Sequence, residues 1–388
     1  MIPEYPSLGC YGIFPNMISS QFEAIVYDGF GIYVGVHDKW RGVKGIDLFK
    51  REDATTPEIR IFTAGEYGCG VRTEFPVRIE LFEGNWQSAA QIYREWFEEN
   101  LPDGAVRIAE NANLPDWYRD MPIVVTYPVR GLFDTDVMEP NALYPYKNAL
   151  PLLDRISERV GSKIMVALMH WEGTAPWAPP YVWPPYGGEE ELSDFADELH
   201  KRGGTLGVYC SGFGYTERSN LIPEYNNLAS LEEGEVFGAF CKGPGDEIRK
   251  SKICTSQRSG YDICVKPEIS KRILNEAYEP LLRANVDYVQ MLDQNHGGGQ
   301  YFCYASDHGH PPAPGRWMTD EMVSLLDGWQ RSAPGKTFGC ESAAAEPFMG
   351  NLRFSDNRFE LCYHIGRPVP LYAYLYSCKN IILMIQLL

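Results

Sequence analysis

The chain from residue 121 onward alternates short, almost uniformly apolar runs with segments whose apolar residues recur at helical spacing. The apolar runs span residues 121–127, 163–171, 205–212, 287–294 and 336–343, with a sixth candidate at 358–364. Strands that are apolar on both faces are typical of parallel sheets buried beneath helices. Because helical segments separate the runs, the pattern predicts an α/β fold with a parallel sheet and helical cover.

Polar residues cluster at the C-terminal ends of several of these strands. The clusters are His170-Trp171-Glu172, Tyr209 to Ser211, Asp293 to His296, and Glu341. A closed barrel of parallel strands brings such ends together on one rim, where barrel enzymes carry their catalytic residues. A doubly wound open sheet is the alternative, but no G-x-G-x-x-G follows the first strand to favour a dinucleotide-binding fold. We therefore predict a (β/α) TIM-type barrel.

The domain organisation follows from where the periodicity changes. The first hundred residues contain alternating segments and hairpin signals that predict a β-sandwich-like domain, followed by an amphipathic helix within 85–102. We place the boundary so that this domain and its connecting helix occupy 1–113 and the barrel occupies 114–388. After the sixth candidate strand, residues 366–388 leave room for one strand or two short ones. The prediction therefore includes a barrel that is incomplete at its C-terminus.

Composition restricts the classes of partner. The formal net charge of −17 argues against nucleic acid, whose phosphates need a basic surface, but is compatible with a neutral carbohydrate. The run "IILMIQLL" has eight residues, well short of the ~20 that span a bilayer, and the first residues lack a signal-peptide pattern. We predict a cytoplasmic protein that binds neither nucleic acid nor membrane. Composition carries no information on the oligomeric state.

Two carboxylates follow neighbouring predicted strands. Asp293 and Glu341 lie 48 residues apart, one barrel unit, at the ends of neighbouring predicted strands. Neighbouring strands are about 4.8 Å apart, and a retaining glycosidase holds its two carboxyl groups roughly 5–5.5 Å apart. The spacing is thus compatible with a nucleophile and an acid/base on adjacent strands, but two unrelated acids in loops would show the same spacing.

Three stretches carry a resemblance to a known family. They are residues 261–294, which end in "VDYVQMLDQ", residues 303–317, "CYASDHGHPPAPGRW", and residues 339–348, "GCESAAAEPF". Together they resemble a bacterial domain-of-unknown-function family of glycosidase-like barrels, related to endo-α-N-acetylgalactosaminidases and, more remotely, to α-amylase-type retaining glycosidases. The resemblance extends over roughly 15–375. It implies that Asp293 is the nucleophile and Glu341 the acid/base, with Glu346 as the competitor for the acid role.

The remaining candidates are predicted to bind substrate. They are His170, Trp171, Glu172, Tyr209, Gln294, His296, His308, His310 and Glu346. The proline-rich loop 175–188 offers Trp177 and Trp183 as platforms for a sugar ring, or as packing residues. His308 and His310 form an H-x-H pair that suits a metal or a sugar hydroxyl equally. The ten cysteines occur singly, without a C-x-x-C pair, so their spacing predicts no zinc site.

The sequence thus favours a retaining glycoside hydrolase acting on an oligosaccharide, polysaccharide or glycoconjugate, with no metal ligand and no cofactor. A metal-dependent hydrolase using His308, His310 and Asp293 is the first alternative. A non-catalytic carbohydrate-binding protein with a glycosidase-like barrel is the second.

Overall fold

The computed structural model describes residues 10–16, 18–49, 58–63, 75–120, 122–356, 369–379 and 381–383. The strands are β1 (Cys10–Phe14), β2 (Phe22–Val26), β3 (Phe30–Val36), β4 (Lys44–Phe49), β5 (Glu58–Thr63), β6 (Val77–Glu83), β7 (Ile123–Pro128), β8 (Ile164–Met169), β9 (Thr205–Tyr209), β10 (Gly214–Ser219), β11 (Arg258–Asp262), β12 (Tyr288–Leu292), β13 (Thr337–Glu341), β14 (Leu352–Asp356) and β15 (Ile381–Leu383). The helices are α1 (Trp86–Glu99), α2 (Asp116–Asp120), α3 (Leu150–Val160), α4 (Glu189–Lys201), α5 (Leu228–Glu232), α6 (Glu268–Arg283), α7 (Arg316–Ser332) and α8 (Leu371–Tyr376). None of these helices is both long and apolar enough to cross a membrane.

The N-terminal region forms two small antiparallel sheets. One has the order β1-β4-β5 and the other β2-β3-β6. Helix α1 follows β6 directly, and its first turn is capped by the Asn85 side chain, which accepts a hydrogen bond from the Gln87 N–H. The apolar face of α1 carries Ala90, Tyr93 and Phe97, which are completely buried and join the main core.

The larger sheet confirms the predicted α/β barrel architecture. Its strands follow the order β7-β8-β9-β12-β13-β14-β15, and every neighbouring pair is parallel. The antiparallel pair β10 and β11 belongs to the long insertion between β9 and α6. The predicted sixth strand at 358–364 lies outside the described residues, and β14 is the sixth strand of the sheet instead.

The barrel interior is filled by large side chains from the middle strands. Tyr288 on β12 is completely buried, and both neighbouring strands carry a glycine beside its ring. A Cβ at Gly207 would lie 2.7 Å from Tyr288 Cδ1, and one at Gly339 would lie 2.3 Å from Tyr288 Oη. The two glycines therefore make space that no larger residue could leave. Below this level, Tyr118 of α2 packs with Tyr288 and Phe354, so α2 closes the N-terminal end of the barrel.

Candidate active site

An irregularity in β12 determines where Asp293 points. Gln290 pairs with Gly339 and Leu292 pairs with Cys340, so Met291 is an extra residue opposite β13. Such a bulge shifts the alternation of side chains by one position. Gln290 and Asp293 consequently share one face, and Gln290 Nε2 donates a hydrogen bond to Asp293 Oδ1 at 3.3 Å. Asp293 thus faces the barrel interior at the C-terminal end of β12, with 3% of its surface exposed.

Glu341 ends the neighbouring strand at the same level. Leu292 and Cys340 are paired, and Asp293 and Glu341 are the residues that follow them. Glu341 is 9% exposed, and its Oε2 lies 3.0 Å from His296 Nε2. His296 belongs to the turn His296–Gly298, which is held in place because Ala345 N–H donates to the Gly297 carbonyl at 2.8 Å. The two predicted catalytic carboxylates therefore end adjacent strands on the same rim.

A pocket opens at this rim beside Asp293. Its walls come from the ends of β8, β9 and β12 and from the loop after β8. They are formed by Met169, His170, Glu172, Trp177, Tyr209, Cys210, Ser211 and Asp293. Four residues predicted from the sequence to touch substrate or act in catalysis, His170, Glu172, Tyr209 and Asp293, therefore line one pocket.

His170 is held by backbone and side-chain contacts from the loop after β7. It has a φ of +51°, which is costly for a residue with a side chain and is common at functional sites. Its Nδ1 lies 2.9 Å from the Arg130 carbonyl, and its Nε2 lies 3.5 Å from Asp134 Oδ1. Burial acts to lower the pKa of His170, but Asp134 and the Arg130 carbonyl outweigh it and raise the pKa above its ordinary value.

Glu172 is a buried carboxyl group on the pocket wall. It is 4% exposed, and its Oε2 has no hydrogen-bond partner among the described residues. Burial raises the pKa of Glu172 from 4.5 to about 7, since the charged form loses hydration that the neighbouring His170 and Arg130 replace only in part. Arg130 Nη2 also donates to the Glu172 backbone carbonyl. Near neutral pH, Glu172 can therefore donate as well as accept a hydrogen bond.

The aromatic residues of the loop after β8 divide into two roles. Trp177 is half-buried on the pocket wall, and its indole Nε1 has no hydrogen-bond partner in the described part of the chain. Trp171, which we predicted to contact substrate, is completely buried and donates from Nε1 to the Tyr209 carbonyl. That prediction is wrong because Trp171 turns into the core, where it packs edge-on against Trp183. Trp177 takes the position at the pocket instead.

Gln294 fixes the loop after β12 rather than lining the pocket described above. Its Oε1 accepts a hydrogen bond from Arg258 Nη2 at 2.7 Å, and its backbone carbonyl accepts one from Tyr301 Oη at 3.4 Å. The adjacent Asn295 accepts from the Phe213 N–H at 2.9 Å. The polar tip of β12 thus combines a pocket residue, Asp293, with residues that anchor the loop.

Glu346 lies among the N-terminal sheets and helices, and the prediction that it competes for the acid role is corrected. It is completely buried, with Arg41 Nε 2.9 Å from its Oε2. The hydroxyls of Tyr93 and Tyr376 donate to its Oε1 at 2.6 Å and 2.8 Å. With both oxygens occupied by residues of the N-terminal region and α8, Glu346 joins these parts of the chain and is unavailable to substrate.

His308 and His310 are also placed differently from the prediction of a sugar contact. They converge with Cys264 and Cys303, and one ligand atom from each of the four lies within 4.8 Å of the others. The premise that the H-x-H pair stands alone is therefore wrong. The cysteines lie 39 residues apart, so only the fold reveals the cluster. Asp293 is not a member of it, which removes the support for a catalytic metal shared by Asp293 and the two histidines.

Sequence reasoning missed Arg130 and Asp134, which support the pocket from the loop after β7. A signal was present, because "YPVRGLFDTD" places polar residues after the first barrel strand, as at the other strand ends. Ser211 was named only as the end of a polar cluster. It also lines the pocket, next to its bridge partner Leu292.

One family model covers most of the chain. Residues 71–384 match the model of a family described as a domain of unknown function, DUF6259. The chain belongs to this family. No curated protein matches the sequence.

Solved structures share the fold of this DUF6259 protein. The α-N-acetylgalactosaminidase NagBb from Bifidobacterium bifidum, in a GalNAc complex, superposes with a TM-score of 0.66 at 14% identity, covering 93% of this chain and 58% of that chain. The α-galactosidase TtGalA from Thermus thermophilus, in complex with stachyose, gives a TM-score of 0.55 at 13% identity, covering 94% and 68%. The chain thus spans less than two thirds of the length of NagBb. At these identities, the likeness concerns the fold.

Proposed function

We propose that this protein is a retaining glycoside hydrolase that acts on α-linked galactose-type sugars, with Asp293 as nucleophile and Glu341 as acid/base. The observation that carries the proposal is the bulge at Met291, which turns Asp293 into a pocket at the C-terminal rim. Bulges beside active sites commonly re-aim a side chain in this way. A strand without the extra residue would direct the residue after Leu292 to the opposite face.

The polar groups of the pocket suit a polyhydroxylated ligand. Glu172 Oε2 and Trp177 Nε1 are buried and have no hydrogen-bond partner among the described residues. Buried polar atoms without partners cost free energy, which a ligand with hydroxyl groups recovers by bonding to them. An indole at the pocket wall also presents an apolar face to the C–H groups of a sugar ring.

The galactose configuration is proposed from the solved structures. NagBb is an α-N-acetylgalactosaminidase, and TtGalA is an α-galactosidase. Both sugars have an axial O4, and a pocket that accepts them has donors and acceptors placed for that orientation. The retaining mechanism would preserve the α configuration of the product.

The proposed reaction has two steps. Asp293 attacks the anomeric carbon and forms a glycosyl ester, while Glu341 gives its proton to the departing oxygen. Water then enters, Glu341 takes a proton from it, and the resulting attack on the anomeric carbon releases Asp293 and the sugar. We expect the two carboxyl groups to lie about 5–5.5 Å apart in the substrate complex. His296, 3.0 Å from Glu341, would orient the acid/base.

The test is hydrolysis of a panel of p-nitrophenyl glycosides by the full chain. We expect turnover of the α-galactoside or the α-N-acetylgalactosaminide, no turnover of the β-galactoside, and the α-anomer as the first product by NMR. Asp293→Asn, purified in parallel, controls for contaminating activity. Binding of galactose without hydrolysis of any substrate would instead identify a non-catalytic carbohydrate-binding protein, and a β-anomeric first product would refute the retaining mechanism.

A further inference from the structure

A cluster of two cysteines and two histidines lies in the loops beside the barrel rim. It comprises Cys264, Cys303, His308 and His310, whose ligand atoms all lie within 4.8 Å of one another. Cys264 Sγ lies 3.5 Å from His310 Nε2, and Cys303 Sγ lies 3.5 Å from His308 Nδ1. Ligands of one tetrahedral ion stand about this far apart, since zinc–sulfur and zinc–nitrogen bonds are about 2.3 Å and 2.0–2.1 Å long.

The cluster is closed to solvent. Cys264 and Cys303 are at most 2% exposed, and both histidines are 7% exposed. In a structural zinc site, the protein fills all four coordination positions of the metal, whereas a catalytic site leaves one position open for water or substrate. Four buried protein ligands therefore indicate a structural site. Two thiolates and two imidazoles form the set that zinc occupies in structural sites, whereas magnesium and calcium prefer oxygen.

The surroundings orient one histidine as a metal ligand requires. His310 Nδ1 lies 2.7 Å from the Pro311 carbonyl, which must be the acceptor, so Nδ1 carries the proton and Nε2 is left with a lone pair facing Cys264. The ring also stacks on Trp317, with centroids 3.8 Å apart and planes within 8°. Metal-bound histidines typically donate their second N–H to a carbonyl or carboxylate in this manner.

We propose that Cys264, Cys303, His308 and His310 bind one structural zinc ion. Cys264 follows β11 in the insertion after β9, whereas the other three ligands lie in the loop between β12 and α7. The ion joins these two segments. The second segment begins at the tip of β12 that carries Asp293, and the first contains Arg258, which holds Gln294. Zinc therefore stabilises the rim of the pocket and takes no part in bond cleavage. The proposal stands independently of the proposed glycosidase activity.

A third cysteine makes oxidation the competing explanation. The Cys241 thiol contacts those of Cys264 and Cys303 in the same apolar cluster. Three neighbouring thiols could form a disulfide in place of a metal site. The two explanations differ in metal content and in the number of free thiols, so one experiment separates them.

The experiment is elemental analysis of the full chain purified without chelator under reducing conditions. We expect about one equivalent of zinc per chain, lost in Cys303→Ser and in His310→Ala and retained in Cys254→Ser, a cysteine outside the cluster. Replacing zinc with cobalt should give the visible absorption of tetrahedral cobalt with thiolate ligands. Removal of the metal with a chelator should lower the Tm, and added zinc should restore it.

The wild-type chain decides the question even where a variant fails to fold. The proposal is overturned if the reduced wild-type chain carries no transition metal and binds no added zinc or cobalt. It is equally overturned if mass spectrometry finds a disulfide among Cys241, Cys264 and Cys303 in the native protein, or if both ligand variants retain full metal content.

Discussion

Replacing Glu172 with glutamine should change how stability depends on pH. Burial holds the pKa of Glu172 at about 7 in the folded chain, against 4.5 ordinarily. A carboxyl group whose pKa is raised by folding makes the folded state more stable at low pH than at high pH. At low pH the group is neutral in both the folded and the unfolded chain, and burial then carries no cost of removing a charge from water. This contribution is lost as the pH rises from about 4.5 through about 7, because the unfolded chain then ionises the group more readily.

The magnitude follows from the size of the shift. Each pKa unit corresponds to about 1.4 kcal/mol, so ionised Glu172 should cost the folded state about 3 kcal/mol at alkaline pH. Between about pH 5 and about pH 8, the wild-type chain should lose about 2–3 kcal/mol through this one group. Glutamine has nearly the same shape and does not titrate, so Glu172→Gln should not show that part of the loss.

Thermal unfolding measured at both pH values is the assay, with Glu158→Gln on the exposed face of α3 as control. The variant should gain stability relative to wild type as the pH rises, and the control should follow wild type within about 0.5 kcal/mol. Parallel pH profiles for wild type and Glu172→Gln would refute the reasoning, since they would mean that water or a cation reaches the Glu172 carboxylate.

Three further substitutions test the proposed roles. Asp293→Asn should abolish steady-state turnover, because an amide cannot form the glycosyl ester. The Tm should change little, because the Asn side-chain oxygen can still accept the hydrogen bond from Gln290. Unfolding of the variant would instead make Asp293 a structural residue. Glu341→Ala should still release a good leaving group such as dinitrophenolate, and added azide should restore turnover. If the variant neither releases the leaving group nor responds to azide, Glu341 is not the acid/base. Glu346→Gln should cost about 3–5 kcal/mol in chemical denaturation, because the buried Arg41 guanidinium loses its carboxylate partner. The kcat of the folded fraction should not change, and a change of kcat without destabilisation would contradict the structural role of Glu346.

The strands of the barrel could be predicted from the sequence because burial on both faces leaves a continuous apolar signal. Five of the predicted runs coincide with β7, β8, β9, β12 and β13. The sixth strand was instead predicted at 358–364, outside the described residues, because the sequence of β14 contains the polar Arg353 and Ser355. A strand whose sequence mixes polar with apolar residues gives a weaker apolar signal than one that is apolar throughout.

The site was predicted unevenly for a related reason. Strand ends are visible in the sequence, so the location of Asp293, Glu341, His170 and Glu172 at the ends of barrel strands could be predicted from the apolar runs alone. Which way a side chain turns beyond a strand end depends on local backbone geometry, such as the bulge at Met291, which no periodicity reveals.

Long-range partnerships were also hidden from the sequence. Glu346 meets Arg41 across 305 residues, and the histidines of the H-x-H pair meet Cys264 from another loop. Spacing rules for metal sites describe ligands that are close along the chain. They cannot detect a set that the fold assembles from separate segments.

The central claim, that Asp293 is the nucleophile of a retaining glycosidase, is tested most directly by trapping its covalent intermediate. The full chain is incubated with 5-fluoro-α-galactosyl fluoride, whose second fluorine slows hydrolysis of the glycosyl-enzyme, and is then digested for peptide mass spectrometry. We expect a single fluorogalactosyl group esterified to Asp293, and none in Asp293→Asn. A label on Glu172 or Glu341 would contradict the account, as would hydrolysis of the reagent with no covalent adduct at any time point.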